Sequence, residues 1–381
     1  MNDNTVPVAY TFDDVQLVPR FSDVESRSDV DLSTRFTKNF YIRTPLVAAP
    51  MDTVCGSDMA IALYDLGGVG IIHRYDSIET QCNNVKTLVS HIANINYKYG
   101  KTTSPILTTN DVVAAAIGAT NDYKERAIEL LKAGATVLVI DVAHGHHLHV
   151  HHAMTTLTYL KASYKFDIIL GSIATPEAAI FGISLGADAL RVGVGGGSVC
   201  ETRIRTGIGI PQLSAVKNIV DSINRSKVSD NRYSYESNAE KYNIPIISDG
   251  GIRYPGDAAK ALAAGAESVM LGNLFSGTNE APGDTIIGGQ WPHVKEWKVY
   301  RGMASATTKL KYAGEVAHVE GASKIIEAKG PVKDVFNDIC DGIKSSMSYV
   351  GAHNLKTFVN NAQFIRITPA GLAEAHPHLL R

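Results

Sequence analysis

Eight short apolar runs, spaced along residues 45–274, constrain the fold of this chain more than any other feature. They read PLVAAPMD (45–52), VGIIHR (69–74), PILTTN (105–110), VLVIDVAHG (137–145), DIILGSIA (167–174), ALRVGVGGG (189–197), IPIISDGG (244–251) and SVMLGNL (268–274). Each is β-rich and continuously apolar, as a strand covered on both faces must be, and the runs close on Gly, Asp, His or Asn. Helical patterns lie between them: MAIALYDLGG (59–68), KERAIELLKAGA (124–135), PEAAIFGISLGA (176–187) and PGDAAKALAAGA (255–266). The last three end in Gly-Ala before the next strand, so Gly134, Gly186 and Gly265 are expected at helix C′ positions with positive φ. This succession of strand and helix predicts an α/β fold, a (β/α)8 TIM barrel, with residues 1–381 forming one domain. An open Rossmann-like sheet is the competing arrangement. No GxGxxG follows the first strand with an acidic residue further on, which disfavours it.

Two segments depart from the repeat. Residues 222–243 are polar and read as an insertion or mobile loop before the seventh strand. Residues 282–333, rich in Gly and charge, read as an active-site lid, followed by a helix over 334–349 that closes the barrel. Hydrophobic residues make up 45% of the chain, enough for a full core. The 36 Lys+Arg against 38 Asp+Glu argue against nucleic acid or a membrane surface as partner. Cys55, Cys82, Cys200 and Cys340 are scattered without a CxxC, and the N-terminal MNDNTVPVAYTFDD carries no signal-peptide pattern. No apolar run reaches the ~18 residues of a membrane span. A reducing, cytoplasmic setting is therefore expected.

In a barrel the reactive groups belong at the C-terminal ends of the strands. Asp52, His73, Asp141, Ser172, the 193–202 loop, Asp249-Gly250-Gly251 and Gly272-Asn273 all fall there. The strongest of these signals is LRVGVGGGSVCETR (190–203). Its glycines let backbone turn sharply and approach a ligand, Ser198 offers a hydroxyl to a phosphate oxygen, and Cys200 is placed to act as a nucleophile. The bland alternative is a glycine-rich turn with an inert cysteine. Glycines at the tips of the last two strands fit a phosphate site, with Asp249 available to ribose hydroxyls. Six of the 13 histidines lie between His144 and His152. That run passes from a strand tip into a helix and faces several directions, so a metal site is the weaker reading and a cofactor cleft at Asp141 and His144 the stronger.

At residues 190–202 the chain resembles the IMP dehydrogenase/GMP reductase family. TFDDVQLVP (11–19), AAPMDTV (48–54), GGVGIIHR (67–74), SDGGIRYPGD (248–257) and YRGM (300–303) extend the resemblance over almost the whole length. It implies a (β/α)8 barrel, a homotetramer, and a site for a purine nucleotide monophosphate beside NADPH or NAD. The CBS pair often inserted after the second strand is expected to be missing. By the same resemblance Cys200 matches the thiolate that adds to purine C2, and Thr202 the threonine that handles water or ammonia. Ser198, Asp249, Gly250, Gly251, Gly272, Asn273 and Tyr300 match phosphate and ribose contacts. Met51, Met303, Ala304 and Glu320 match residues around the base, and Asp141, His144 and Gly145 the cofactor side. Gly195, Gly197 and Cys200 match a turn of carbonyls that binds a monovalent cation, K+, in many members.

The resemblance points to the reductase branch, NADPH-dependent conversion of GMP to IMP and ammonia. Dehydrogenases carry an Arg-Tyr pair on a long flap, whereas residues 304–322 here are ASATTKLKYAGEVAHVEGA. KYAGEVA, SRSDVD (26–31), PQLSAV (211–216), GPV (330–332) and SYVGA (348–352) read as reductase; GGIRYPGD and AGLAEAHPH (370–378) read as dehydrogenase. The glutamate that reductases place after the GM dipeptide is Ala306 here, and Glu201, beside Thr202, is the expected replacement. The alternatives are IMP dehydrogenase (IMP, NAD and water to XMP and NADH) and a nucleotide-binding regulator with little turnover.

Overall fold

The apolar runs become strands because their aliphatic side chains can be covered on both faces. The structure, a computed structural model, describes residues 6–104, 106–224, 227–230, 233–236, 243–289, 294–313 and 319–377. Eight parallel strands close into a barrel: β1 (Leu46–Ala48), β2 (Val69–Ile72), β3 (Ala114–Ile117), β4 (Val137–Asp141), β5 (Asp167–Ile173), β6 (Ala189–Val192), β7 (Ile246–Asp249) and β8 (Ser268–Leu271). β8 returns to β1 with Met270 opposite Val47. Alternate residues face opposite ways along each strand. Val47, Ile71, Ala114, Val139, Ile169, Ile247 and Met270 form one cluster that fills the barrel, with Phe36, Phe40 and Ile42 joining it. Their neighbours Leu46, Ile72, Ala115, Leu138, Leu170, Leu190 and Leu271 belong to a second cluster shared with the surrounding helices.

Those helices include α1 (Ser57–Leu66), α2 (Ile78–Lys98), α3 (Tyr123–Lys132), α4 (Leu148–Leu160), α5 (Pro176–Ser184), α6 (Thr202–Thr206), α7 (Gln212–Asn224) and α8 (Pro255–Ala263). Gly134, Gly186 and Gly265 take φ of +105°, +85° and +103°, as the Gly-Ala endings require. The third strand corrects the sequence reading. Of PILTTN (105–110), residues 106–110 are not a strand and residue 105 lies outside the described residues; AAAI (114–117) is a strand. Asp111 accepts from Thr108 N at 2.6 Å and from Asn96 Nδ2 at 2.6 Å, which turns the chain before the barrel begins. Three alanines and Ile117 then suffice as a strand because all are buried. Alanines carry no β signal, so periodicity and propensity both pass over them.

Much of the segment expected as a lid forms regular structure. Ile286–Gly288, Lys295–Arg301 and Ser323–Glu327 form an antiparallel sheet, and α9 (Ala306–Ala313) projects from it. Buried Lys298 ties this sheet to the loop after β8, its Nζ donating to the carbonyls of Thr278 (3.0 Å), Asn279 (3.3 Å) and Ala281 (2.7 Å). Residues 314–318, which hold most of KYAGEVA, lie outside the described residues. Of the predicted insertion, residues 222–224 belong to α7, Lys227–Asp230 pairs with Tyr233–Glu236, and Asn243 leads toward β7; the rest lies outside the described residues. The closing helix is α10 (Val332–Ser348), packed against α8. No helix among the described residues is long and apolar enough to cross a membrane.

Candidate active site

The C-terminal ends of the strands open on one cavity of about 650 Å³. β6 leaves the barrel through Gly193, whose φ is +152° and where a Cβ would sit 1.9 Å from the Asp249 carbonyl oxygen. Only glycine fits that approach. The loop is stitched to the one after β7 by Gly251 N donating to Gly196 O at 2.9 Å. Ser198 Oγ lies 3.2 Å from Tyr300 Oη, and that phenol stands 3.1 Å from where a Cβ of Gly272 would be. Ser198, Gly250, Gly251, Gly272, Asn273 and Tyr300 therefore converge on one cavity, with open backbone suited to an anion.

Cys200 is the exposed cysteine; Cys55, Cys82 and Cys340 are buried. Its Sγ lies 3.2 Å from Thr202 Oγ1, and Thr202 Oγ1 donates to Glu320 Oε2 at 2.8 Å. Because the hydroxyl has one proton and gives it to Glu320, it receives the thiol proton. The three groups form a line from sulfur to carboxylate along which a proton can move. The backbone fixes this line: Glu201 N donates to Glu320 O at 2.8 Å, and Ala322 N to Val199 O at 2.8 Å. Met51, Met303, Ala304 and Glu320 share the cavity wall with Cys200 and Thr202.

Glu201 does not stand where the sequence reading put it. Its Oε2 accepts from Arg205 Nε at 3.0 Å and Nη2 at 2.9 Å, one helical turn on, and it does not line the cavity. A fork of two charge-assisted bonds holds that carboxylate away from Thr202. The carboxylate on Thr202 is Glu320.

Asp141 lines the cavity; His144 and Gly145 do not. His144 is exposed, and desolvation, with His146 and His147 nearby, lowers its pKa. Gly145 is buried, its amide donating to Ser172 O at 2.7 Å. His147 caps α4, its Nδ1 accepting from His149 N at 3.1 Å, and His146 packs on Phe181 with ring centroids 4.8 Å apart. Among the described residues no group of three His, Cys, Asp or Glu could hold a metal ion. In the glycine loop, Gly197 O accepts from Cys200 N at 3.0 Å.

Sequence reasoning missed the cation that links two of its own candidates. Arg191, on β6, donates from Nη1 to Asp141 Oδ1 at 2.7 Å and from Nε to Asp249 Oδ2 at 2.9 Å. Burial opposes its charge, but the carboxylates of Asp249 and Asp141 outweigh burial and raise its pKa. It thus joins the residue expected on the ribose to the residue expected on the cofactor. A signal was present, since an arginine inside ALRVG must bring carboxylates with it. Removing it leaves two buried carboxylates facing each other. We expect Arg191→Leu to cost about 3–5 kcal/mol, read as a fall in the urea midpoint at constant m, and Arg191→Lys to recover part of it. A midpoint within error of wild type would show that the pair contributes nothing.

A second network docks α9. Arg301 pairs with Asp52, and Tyr312 Oη donates to Asp52 Oδ2 at 3.0 Å. Tyr312 also meets Tyr75, centroids 5.9 Å apart, and Tyr75 and Arg74 line the cavity.

Comparison with known proteins gives the family of the barrel. The IMP dehydrogenase / GMP reductase domain matches residues 9–378. An inosine-5'-monophosphate dehydrogenase from Borreliella burgdorferi is 36% identical over 97% of this chain and 96% of its own length. A GMP reductase from Leishmania major is 30% identical over 98% and 97%. The crystal structure of a cysteine-to-alanine variant of GMP reductase from Trypanosoma brucei, in complex with guanosine 5'-monophosphate, superposes with a TM-score of 0.85 at 29% identity and 99% coverage of both chains. The alignment to a dehydrogenase from Nitrosopumilus maritimus runs over 487 positions, longer than this chain, so that relative carries segments with no counterpart here. With its barrel, its cysteine loop and these matches, the chain belongs to the IMP dehydrogenase/GMP reductase family of oxidoreductases, whose members use NAD(P).

Proposed function

We propose that the protein reduces GMP to IMP, consuming NADPH and two protons and releasing ammonium. The Cys200 thiolate adds to purine C2, its proton having passed through Thr202 to Glu320. Glu320 returns that proton through Thr202 to the departing 2-amino group, leaving a thioimidate on Cys200. The nicotinamide supplies a hydride to C2 when bound, and collapse expels the thiolate and frees IMP. Ser198, Gly251, Gly272 and Tyr300 hold the phosphate, Asp249 the ribose, and Asp141 faces the cofactor. Carbonyls of Gly195, Gly197 and Cys200 would hold K+, which would stiffen the loop. A cytoplasmic homotetramer belongs to the same reading.

The direction rests on the docked helix α9. Water attack in a dehydrogenase requires a base to enter the place the nicotinamide leaves. Residues 304–322 contain no arginine, and Tyr312 is held to Asp52 beside Arg301. Reduction needs no such exchange, because nucleotide and cofactor stay together while ammonia leaves. The second reading, oxidation of IMP to XMP, draws on the dehydrogenase names of several relatives, including the 36% identical protein. Side-by-side assays separate the two. GMP with NADPH should consume reduced cofactor and yield ammonia in equal amount, whereas IMP with NAD should yield little NADH. Efficient XMP formation with no GMP reduction would reverse the assignment.

A further inference from the structure

A second cavity, of about 870 Å³, lies at the opposite end of the barrel. Its wall includes Gly67–Val69, where the chain enters β2, and Val112, just before β3. It opens at the N-terminal ends of the strands, whereas the cavity around Cys200 opens at their C-terminal ends. A molecule held there cannot touch the reacting atoms.

Three cations face this space: Arg43, Lys98 and Lys101. Among the described residues none of them has a carboxylate within ion-pair distance. The two acidic residues of the wall are engaged elsewhere. Asp65 pairs with His91 at 2.9 Å, and Asp111 accepts from Tyr64 Oη at 2.8 Å besides Asn96 and Thr108. Arg43 is held in place, its Nη2 donating to Asp65 O at 2.9 Å and Tyr64 O at 3.3 Å, so its remaining donors have a fixed direction. The helix C-terminus accounts for one lysine at Lys98 but not for the convergence of three positive groups. Beside them stand two tyrosines that the fold does not bury, Tyr41 at 66% exposure and Tyr99 at 69%.

The three cations outnumber the two carboxylates of the wall, Asp65 and Asp111, and Lys98 Nζ stands 5.7 Å from the centroid of the Tyr99 ring. A positive balance next to exposed aromatic rings, in a cavity of ligand size, suits a molecule that is anionic at one end and a flat ring at the other. We propose that this cavity binds a nucleoside polyphosphate, with phosphates on Arg43, Lys98 and Lys101 and the base against Tyr41 or Tyr99. The site is independent of the direction of catalysis.

Equilibrium dialysis of the full chain with ATP, GTP and inorganic triphosphate, each with saturating GMP present, tests this. At least one nucleotide should bind at or below about 1 mM and more tightly than triphosphate. The Lys98→Ala/Lys101→Ala double variant should weaken it about tenfold or more, since charge-assisted contacts are lost. Tyr99→Ala and Tyr41→Ala isolate the stacking, and one of them should weaken the nucleotide while leaving triphosphate unchanged. All three variants should melt at the wild-type temperature and keep the basal rate. The proposal fails if no nucleotide binds, if GMP displaces it, if the lysine variant binds as wild type does, or if triphosphate binds as tightly as the nucleotides.

Discussion

Cys200→Ala should have no measurable turnover and should still bind GMP. The side chain is exposed at the mouth of the barrel, and the substitution removes a sulfur without disturbing Gly193, Gly251 or the backbone bonds around the loop. In the proposed reaction, covalent addition at C2 makes the amino group a leaving group, and no other exposed thiol can replace it. Isothermal titration with GMP should therefore give a Kd close to wild type, while absorbance of reduced cofactor stays flat. A wild-type rate would remove the covalent mechanism; lost binding would show that the thiol holds the base rather than attacks it.

Glu320→Gln should lower kcat by roughly 10²–10⁴, the scale of removing a general acid or base. Glutamine can still accept a bond from Thr202 but cannot take or return a proton. Thr202→Val breaks the same line one atom earlier, so the double variant should be no slower than the slower single one. Glu201→Gln is the natural control. That carboxylate is one partner of an i,i+4 pair with Arg205, a quarter exposed, and such pairs contribute about 0–1 kcal/mol. It should leave kcat within a few-fold of wild type. A large loss in Glu201→Gln with little loss in Glu320→Gln would restore the role first expected for Glu201.

The contrast between those glutamates shows how far residues speak for themselves. Glu201 is adjacent to Thr202 in sequence, which invites a pairing, but the start of a helix turns successive side chains in different directions. Glu320 reaches Thr202 because Glu320 N meets Ala304 O and Ala322 N meets Val199 O, contacts between segments far apart in the chain. Seven of the barrel strands were legible because long aliphatic runs with polar tips have few other ways to fold. The alanine strand β3 was not, because small residues announce no strand and gain their place from the neighbours that cover them. The sheet built on KEWKVYR was hidden for a related reason. Its lysines and glutamates raise the charge of the segment, although one of them, Lys298, is buried among carbonyls. The glycine loop was the easiest part of the site to find, since close backbone approach restricts residue type at each position. Arg191, Asp52 and Tyr312 serve the site through polar pairs between residues distant in the chain, which spacing does not encode.

Hydride transfer to purine C2 is the centre of this account, and an isotope traces it directly. GMP is incubated with NADPH carrying deuterium at the transferred position of nicotinamide C4, and the nucleotide product is analysed by mass spectrometry and proton NMR. The account predicts IMP with one deuterium, located at C2, and none formed by Cys200→Ala. IMP without deuterium, or unchanged GMP under conditions where IMP and NAD yield XMP, would contradict it.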